Sequence, residues 1–258
     1  MSNPTLQSVD NALKILEIFA NEGAEFGVSE LSRKLELGKS TIHRLLSTLE
    51  GRGFVVRNPI TSKFKLGIKV ANMGSMVLRQ VSITREARPY MEELSKATGE
   101  STHLALYAQG DITFVDKVIG SSPAKMSSII GMNKPAYCTG TGKMLLSCLP
   151  EQRLKEYLRN VKLQRLTPYT IIDIGELEKV LQTIKNQGYA EDQQESEEGL
   201  VCYAAPIRNG LGEVIAATSI SGPASRMNEK KEPLVASIKN TAEDISKACG
   251  WHLNLGIK

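Results

Sequence analysis

The chain lacks any run of about 18 consecutive apolar residues, the minimum for a helical membrane span, so no membrane partner is expected. Cysteine is sparse. Cys138, Cys148, Cys202 and Cys249 are scattered and form no C-x-x-C pair, which argues against a disulfide framework and for reduced thiols. Only His43, His103 and His252 are available to a histidine-based centre. No internal repeat and no low-complexity tract is visible. The N-terminal stretch MSNPTLQSVDNALK has no apolar segment of signal-peptide type. The expectation is a soluble, cytoplasmic protein, and 258 residues suffice for two modest domains, each with its own core.

A strong net charge is also missing, since the whole chain carries only +4. Its distribution is uneven. Residues 33–69 hold nine Lys/Arg (Arg33, Lys34, Lys39, Arg44, Arg52, Arg57, Lys63, Lys65, Lys69) against two acids, Glu36 and Glu50. Residues 71–258 hold 22 against 21. A local basic patch on a balanced chain is the footprint of a phosphate-binding surface, or of a solvated basic face.

That patch is built on a regular pattern. Residues 7–22 read as a helix, with Val9, Ala12, Leu13, Leu16 and Phe19 at helical spacing and Gly23 at its end. Ser29 is placed as the N-cap of a second helix that turns Leu31 and Leu35 inward. After Gly38 a third helix runs from about Ser40 to Glu50. Its apolar set is Ile42, Leu45, Leu46 and Leu49, which leaves Thr41, Arg44, Ser47 and Thr48 on the outer side. Gly51 and Gly53 stop it. FVVRN and KFKLG then form a hairpin around Pro59–Ser62. Three helices followed by a hairpin make a winged helix-turn-helix, here residues 1–67. Residues 68–82 form a linker helix.

The third helix has the layout of a DNA-reading element, an apolar inner face beneath short polar side chains and an arginine. Arg44 suits a guanine edge. Ser40, Thr41 and Ser47 suit bases or phosphates. Lys63 and Lys65 on the wing suit phosphates, which position without specifying. Ser29, Lys39, His43 and Arg57 complete the expected DNA-binding set. The bland alternative is an ordinary surface helix.

From Thr84 onward the pattern is α+β: a helix ended by Gly99, a hairpin about Gln109–Asp111, a strand at Lys125–Ile130, a helix near Gly142–Cys148, helices in EQRLKEYLRN and DIGELEKVLQTIKNQG, apolar strands GLVCYAAPI and EVIAATSISG, and a closing helix near Glu232–Cys249.

Three stretches carry a family resemblance. NALKILEIFA with VSELSRKLELGKSTIHRLLSTLEGRGFVV and KFKLGIKVANMG resembles the N-terminal domain of the IclR (isocitrate lyase regulator) family of bacterial transcription factors. KPAYCTGTGKMLLS (134–147) and GYAEDQQESEEGLVCYAAPIRNGLGEVIAATSISGP (188–223) are similar to two motifs of that family's effector domain. The resemblance spans about residues 7–252. It implies that residues 83–258 form a GAF-like effector-binding domain with an antiparallel sheet. It further implies a pocket formed by Gly140 and Thr141, Asp192 in the acidic loop, Cys202, and Ser219 and Ser221 two apart on one strand, with Met126 as a further wall. The chain departs from the family at Tyr137, where several members carry His, and at Thr141, often Ala.

In function, the resemblance implies a transcriptional regulator, most members being repressors of a catabolic operon. Such a protein acts as a homodimer or homotetramer on double-stranded operator DNA. Residues 7–22 and 68–82 are the expected dimer contact. Its effector is a small organic acid, either a keto acid such as 2-keto-3-deoxygluconate, glyoxylate or pyruvate, or an aromatic acid. No cofactor, metal or catalytic residue is expected. The GTGK at 140–143 fails the Walker pattern, because position 137 is Tyr and Met follows Lys143. Cys138, Cys202, Asp192 and His103 lack metal-ligand spacing, and His103 reads as a satisfied sheet residue. Redox sensing through Cys138 and Cys202 is the alternative regulator. A small-acid-metabolising enzyme with an accessory DNA domain is the alternative from another class.

Overall fold

The computed structural model describes residues 6–80, 82–121 and 128–251. The chain falls into two compact units, Met1–Gln80 and Val81–Lys258.

In the first unit, α1 (Gln7–Glu22) buries Asn11, Ile15 and Phe19, one face at i, i+4 and i+8. It ends at Gly23, whose φ of +62° and N–H to Phe19 O close the last turn. Val9 and Leu13 stay half exposed on its outer side. Helix α2 (Val28–Leu35) is capped differently from the sequence expectation. Gly27, not Ser29, is the N-cap, and the Glu30 carboxylate reaches back to accept from the Gly27 N–H at 2.6 Å. An acid at the third helical position fixes the start there, and Ser29 falls inside the first turn. Helix α3 (Lys39–Gly51) buries Ile42, Leu46 and Leu49. Strands β1 (Val55–Arg57) and β2 (Phe64–Leu66) pair antiparallel, with Val56 opposite Lys65. The core is Ile15, Phe19, Phe26, Leu31, Ile42, Leu46, Leu49, Val55 and Phe64. Helix α4 (Ile68–Gln80) comes next.

The second unit begins with α5 (Ser82–Thr98) and the hairpin β3 (Ser101–Ala108) and β4 (Asp111–Val118). The strand expected at 125–130 is not seen over its described part, residues 128–130. Residues 125–127 lie outside the described residues, and Ser128–Ile130 run into a turn that delivers the short β5 (Asn133–Pro135). A 3-10 turn (Ala136–Cys138) leads to α6 (Gly140–Ser147), all of whose residues are buried. Then come α7 (Glu151–Asn160), α8 (Ile174–Gln187), β6 (Ala190–Gln193), β7 (Leu200–Arg208), β8 (Val214–Pro223), α9 (Ala224–Glu229) and α10 (Lys231–Ala248).

The six strands form one antiparallel sheet in the order β5-β4-β3-β8-β7-β6. Because side chains alternate, the sheet has two distinct faces. Thr102, whose hydroxyl donates to Met91 O of α5, marks one. Cys202 and Ala204, against which Gly140 of α6 packs, mark the other. The buried residues of α6 and α8 (Met144, Leu145, Leu146, Leu177, Leu181, Ile184) form a core with Ala105, Ile112, Phe114 and Ala217.

Candidate functional site

Each unit presents one candidate surface. In the first, α3 turns its whole outer face to solvent: Lys39, Ser40, Thr41, His43, Arg44, Ser47 and Thr48 are all exposed above buried Ile42, Leu46 and Leu49. Ser47 Oγ lies 3.5 Å from His43 Nδ1, and Thr48 Oγ1 donates to Arg44 O at 2.9 Å. Ser29 is exposed on α2 and Arg57 on β1. The wing turn is made by Asn58, whose Oδ1 accepts from the Ile60 and Thr61 N–H groups at 2.9 and 3.3 Å, an Asx turn that leaves Ile60 at the tip.

Two wing cations are already engaged. Lys63 pairs with Glu30 at 3.0 Å and Lys65 with Glu25 at 3.6 Å. Glu25 also accepts from Asn58 Nδ2 and Thr61 Oγ1, tying the wing to the segment before α2. The Asn58 hydrogen bond is the largest cause holding the Glu25 carboxyl below its ordinary range. This anchor is not visible in the sequence. The Asn58-Pro59 pair announces a turn, but nothing local links it to Glu25.

In the second unit a cavity of about 30 Å³ is lined by Gly140, Thr141, Asp192, Cys202, Ser219 and Ser221. These are six of the seven effector residues expected from the sequence; Met126 lies outside the described residues. Register explains the convergence. Ser219 stands opposite His103 on one side and Ala204 on the other. Ser221 stands opposite Cys202, which in turn faces Asp192. Asp192 is therefore on the edge strand β6, not in a loop. The segment AEDQ shows no apolar alternation to announce a strand. Helix α6 starts at the cavity. Thr139 Oγ1 accepts from the Gly142 N–H at 3.1 Å, so the first-turn N–H groups of Gly140 and Thr141 open the helix beside the two serines. Gly140 must be small, because a Cβ there would sit 2.9 Å from Cys202 Sγ.

Further lining residues lie beyond the set the sequence suggests: His103, Phe114, Ser128, Lys134, Ser196 and Glu197. His103 faces the cavity from β3, 2.9 Å from Ser128 Oγ and tilted at 50° to the Phe114 ring with centroids 5.2 Å apart. Burial, and then Lys117 and Lys134, lower its pKa to about 3, so it is neutral at physiological pH. Lys134 and Glu197 pair at 3.6 Å. Both line the cavity from different segments.

Asp192 is fully enclosed, and its carboxylate is occupied. Oδ1 accepts from the Glu195 N–H at 2.7 Å and Oδ2 from Ser196 Oγ at 2.8 Å. Burial raises its pKa against the pull of Lys143. Lys143 forms a buried ion pair with Glu195, whose Oε2 has no hydrogen-bond partner among the described residues. The lysine of the GTGK motif is thus turned into the core and presents no amine to a phosphate. Burial pushes the Cys138 thiol up to about 12 and the Cys202 thiol to about 11. Thiols this far protonated are poor oxidant sensors and poor nucleophiles. Tyr137 turns away from the cavity, its hydroxyl donating to Gln164 O and accepting from Gln164 N, both at 3.0 Å. Among the described residues, no three His, Cys, Asp or Glu side chains gather as metal ligands, and no helix is long and apolar enough to cross a membrane.

Comparison with known proteins bears on both surfaces. Residues 8–59 match the IclR helix-turn-helix domain, and residues 75–247 match the bacterial transcriptional regulator IclR C-terminal domain. The HTH-type transcriptional regulator KdgR of Escherichia coli (strain K12) is 36% identical over 248 residues, covering 95% of this chain and 94% of KdgR. The HTH-type transcriptional repressor AllR of Salmonella typhi is 34% identical over 245 residues, covering 95% and 90%. Among solved structures, the Thermotoga maritima IclR aligns with a TM-score of 0.74 at 34% identity, over 96% of this chain and 100% of its own. An IclR homologue from Microbacterium hydrocarbonoxydans, complexed with 4-hydroxybenzoate, aligns with a TM-score of 0.81 at 26% identity, over 94% and 98%.

Proposed function

The chain belongs to the IclR family of bacterial transcriptional regulators, and from that premise we propose how its two units work. It is a DNA-binding transcription regulator with an effector-binding C-terminal domain. Helix α3 enters the major groove of the operator, where Arg44 pairs with a guanine edge and Ser40, Thr41, His43 and Ser47 contact bases or nearby phosphates. Ser29, Lys39, Arg57, Lys63 and Lys65 hold the backbone. For Lys63 and Lys65, a phosphate competes with Glu30 and Glu25. The observation that carries this reading is the exposed polar and basic face of α3 above its buried apolar face.

The effector is a small organic acid. Ser219 and Ser221 and the Gly140 and Thr141 N–H groups hold its carboxylate, with Cys202 as a wall and Asp192, on β6, fixing Glu195 and Ser196 through its carboxylate. Keto acids such as pyruvate, glyoxylate or 2-keto-3-deoxygluconate are one such class. The 4-hydroxybenzoate bound by a relative keeps aromatic acids in the class. The chain acts as a homodimer or homotetramer in the cytoplasm, and the exposed Val9 and Leu13 of α1 support a contact between copies there. Like AllR, a named repressor, it represses a catabolic operon and is not an enzyme.

The test is fluorescence anisotropy of labelled DNA from upstream of this gene, titrated at fixed salt with and without a panel of keto and aromatic acids. Nanomolar binding that one acid weakens is expected. The Ser219→Ala, Ser221→Ala double variant should bind DNA unchanged and lose at least tenfold in acid sensitivity, about 1.4 kcal/mol. Binding no tighter than to random DNA overturns the α3 assignment, and an unchanged acid response in the double variant overturns the pocket.

A further inference from the structure

His103 brings a spare nitrogen to the serine-lined cavity. The residue lines that cavity and is only 2% exposed. Its Nε2 meets Ser128 Oγ at 2.9 Å, whereas its Nδ1 has no hydrogen-bond partner among the described residues. That nitrogen is not sealed off. Among the described residues, the side-chain N and O atoms that are both enclosed and unpartnered are the Tyr157 hydroxyl and Glu195 Oε2. Nδ1 therefore keeps open surface, and the open space beside this buried ring is the cavity.

The neighbours of the ring fix where its proton sits. A lysine ammonium can only donate, and Lys117 Nζ donates to Ser128 O at 2.9 Å and to Ser128 Oγ at 3.0 Å. The Ser128 hydroxyl, accepting there, gives its own hydrogen to His103 Nε2. The ring is neutral, because burial, and then Lys117 and Lys134, lower its pKa to about 3. A neutral imidazole whose Nε2 accepts carries its one hydrogen on Nδ1. What the ring offers the cavity is a donor.

The donor stands beside the serines. His103 on β3 is directly opposite Ser219 on β8, and such opposed residues have Cβ atoms about 4.5–5.5 Å apart. These are the two middle strands of the sheet, so an opening that moves α6 or the β6–β7 turn leaves the spacing unchanged. A carboxylate on Ser219 and Ser221 sets its adjoining carbon within reach of Nδ1. We propose that His103 is a specificity-determining contact, whose Nδ1–H donates to an oxygen on the carbon next to the effector's carboxylate. This rests on the acid-effector reading of the cavity and narrows it to 2-oxo and 2-hydroxy acids. A plain carboxylate or a benzoate has no oxygen on that carbon and leaves a buried donor unpaired.

The experiment is saturation-transfer NMR on the full chain with pyruvate, L-lactate, propionate and benzoate. Propionate matches the first two in length and lacks the second oxygen. The proteins are the wild type, His103→Gln, His103→Asn and the Ser219→Ala, Ser221→Ala double variant. Glutamine reaches Ser128 in place of Nε2 but puts no group at the Nδ1 position. Asparagine puts its amide there and gives up Ser128. The fluorescence of the single Trp251 checks that each variant is folded. The wild type and His103→Asn should bind pyruvate or lactate about tenfold more tightly than propionate and benzoate. His103→Gln should lose that preference, whereas a merely structural histidine would lose it in the asparagine variant and keep it in the glutamine one. The proposal is overturned if the wild type shows no preference, if His103→Gln keeps it, or if folded His103→Asn loses it. Those results leave the acid-effector reading standing. Acids that fail to bind the wild type, or that bind the serine variant unchanged, overturn that reading and this proposal with it.

Discussion

His103 is held neutral in the wall of the serine-lined cavity, and this has a cost in acid. Its folded pKa, about 3, lies below the ordinary value of 6.5. Above pH 6.5 neither the folded nor the unfolded state binds the proton. Below it, the unfolded chain takes up a proton that the folded chain refuses, so stability is lost as pH falls from 6.5 toward 3. At pH 5 this amounts to about 2 kcal/mol. Asp192, whose pKa is raised, acts in the opposite direction, so the informative quantity is a difference between variants. His103→Gln can still bond to Ser128. Its loss of stability between pH 7 and pH 5, read by urea unfolding through Trp251, should be smaller than that of the wild type by about that amount. An equal loss in both would show that the imidazole titrates normally in the folded state.

At the scale of elements, the proposed reading gives base recognition to α3 and backbone holding to the wing. Arg44→Ala should cost about 1–3 kcal/mol of operator affinity and relax discrimination at one base pair. Lys63→Ala should weaken all sequences alike and lower the salt slope by about one unit. Its effect will be muted to the extent that Glu30 keeps the lysine from phosphate, which anisotropy at several salt concentrations would reveal. The same elements show what a sequence discloses. Helix α3 is legible because Ile42, Leu46 and Leu49 keep a 3.6-residue period between Gly38 and Gly51, and the hairpin because two short β runs flank Asn58-Pro59. Apolar context places Cys202, Ser219 and Ser221 on strands, and family likeness draws them together with Gly140. Strand β6 escapes the sequence because AEDQ is polar and four residues long. It is a strand only because Asp192 and its neighbours pair with the ready-made edge of β7. His103 is legible as a sheet residue but not as a wall of the cavity. Its place there depends on standing opposite Ser219, a partner 116 positions away, which no local pattern encodes. The outer face of α1 misleads in the other direction, since Val9 and Leu13 keep helical spacing yet the core takes Asn11, Ile15 and Phe19.

For the molecule as a whole, effector and operator are linked thermodynamically. Whatever factor the acid takes from DNA affinity, DNA takes from acid affinity. The serine-lined cavity adds a condition in time. At about 30 Å³ it accommodates little more than a water or two, so no keto acid can enter it as it stands. On the proposed reading, Lys134 and Glu197, which pair at 3.6 Å and both line the cavity, act as its latch. The protein then behaves as a slow gate. In stopped-flow mixing, the rate of acid binding should climb with concentration and level off at the opening rate of the closed form. Lys134→Ala should lift that ceiling while lowering final affinity by less than it speeds arrival. A rate that rises without limit would mean the door stands open. If it does level off, the cell's response to a burst of metabolite is paced by this ion pair, and brief fluctuations shorter than the opening time pass unheard.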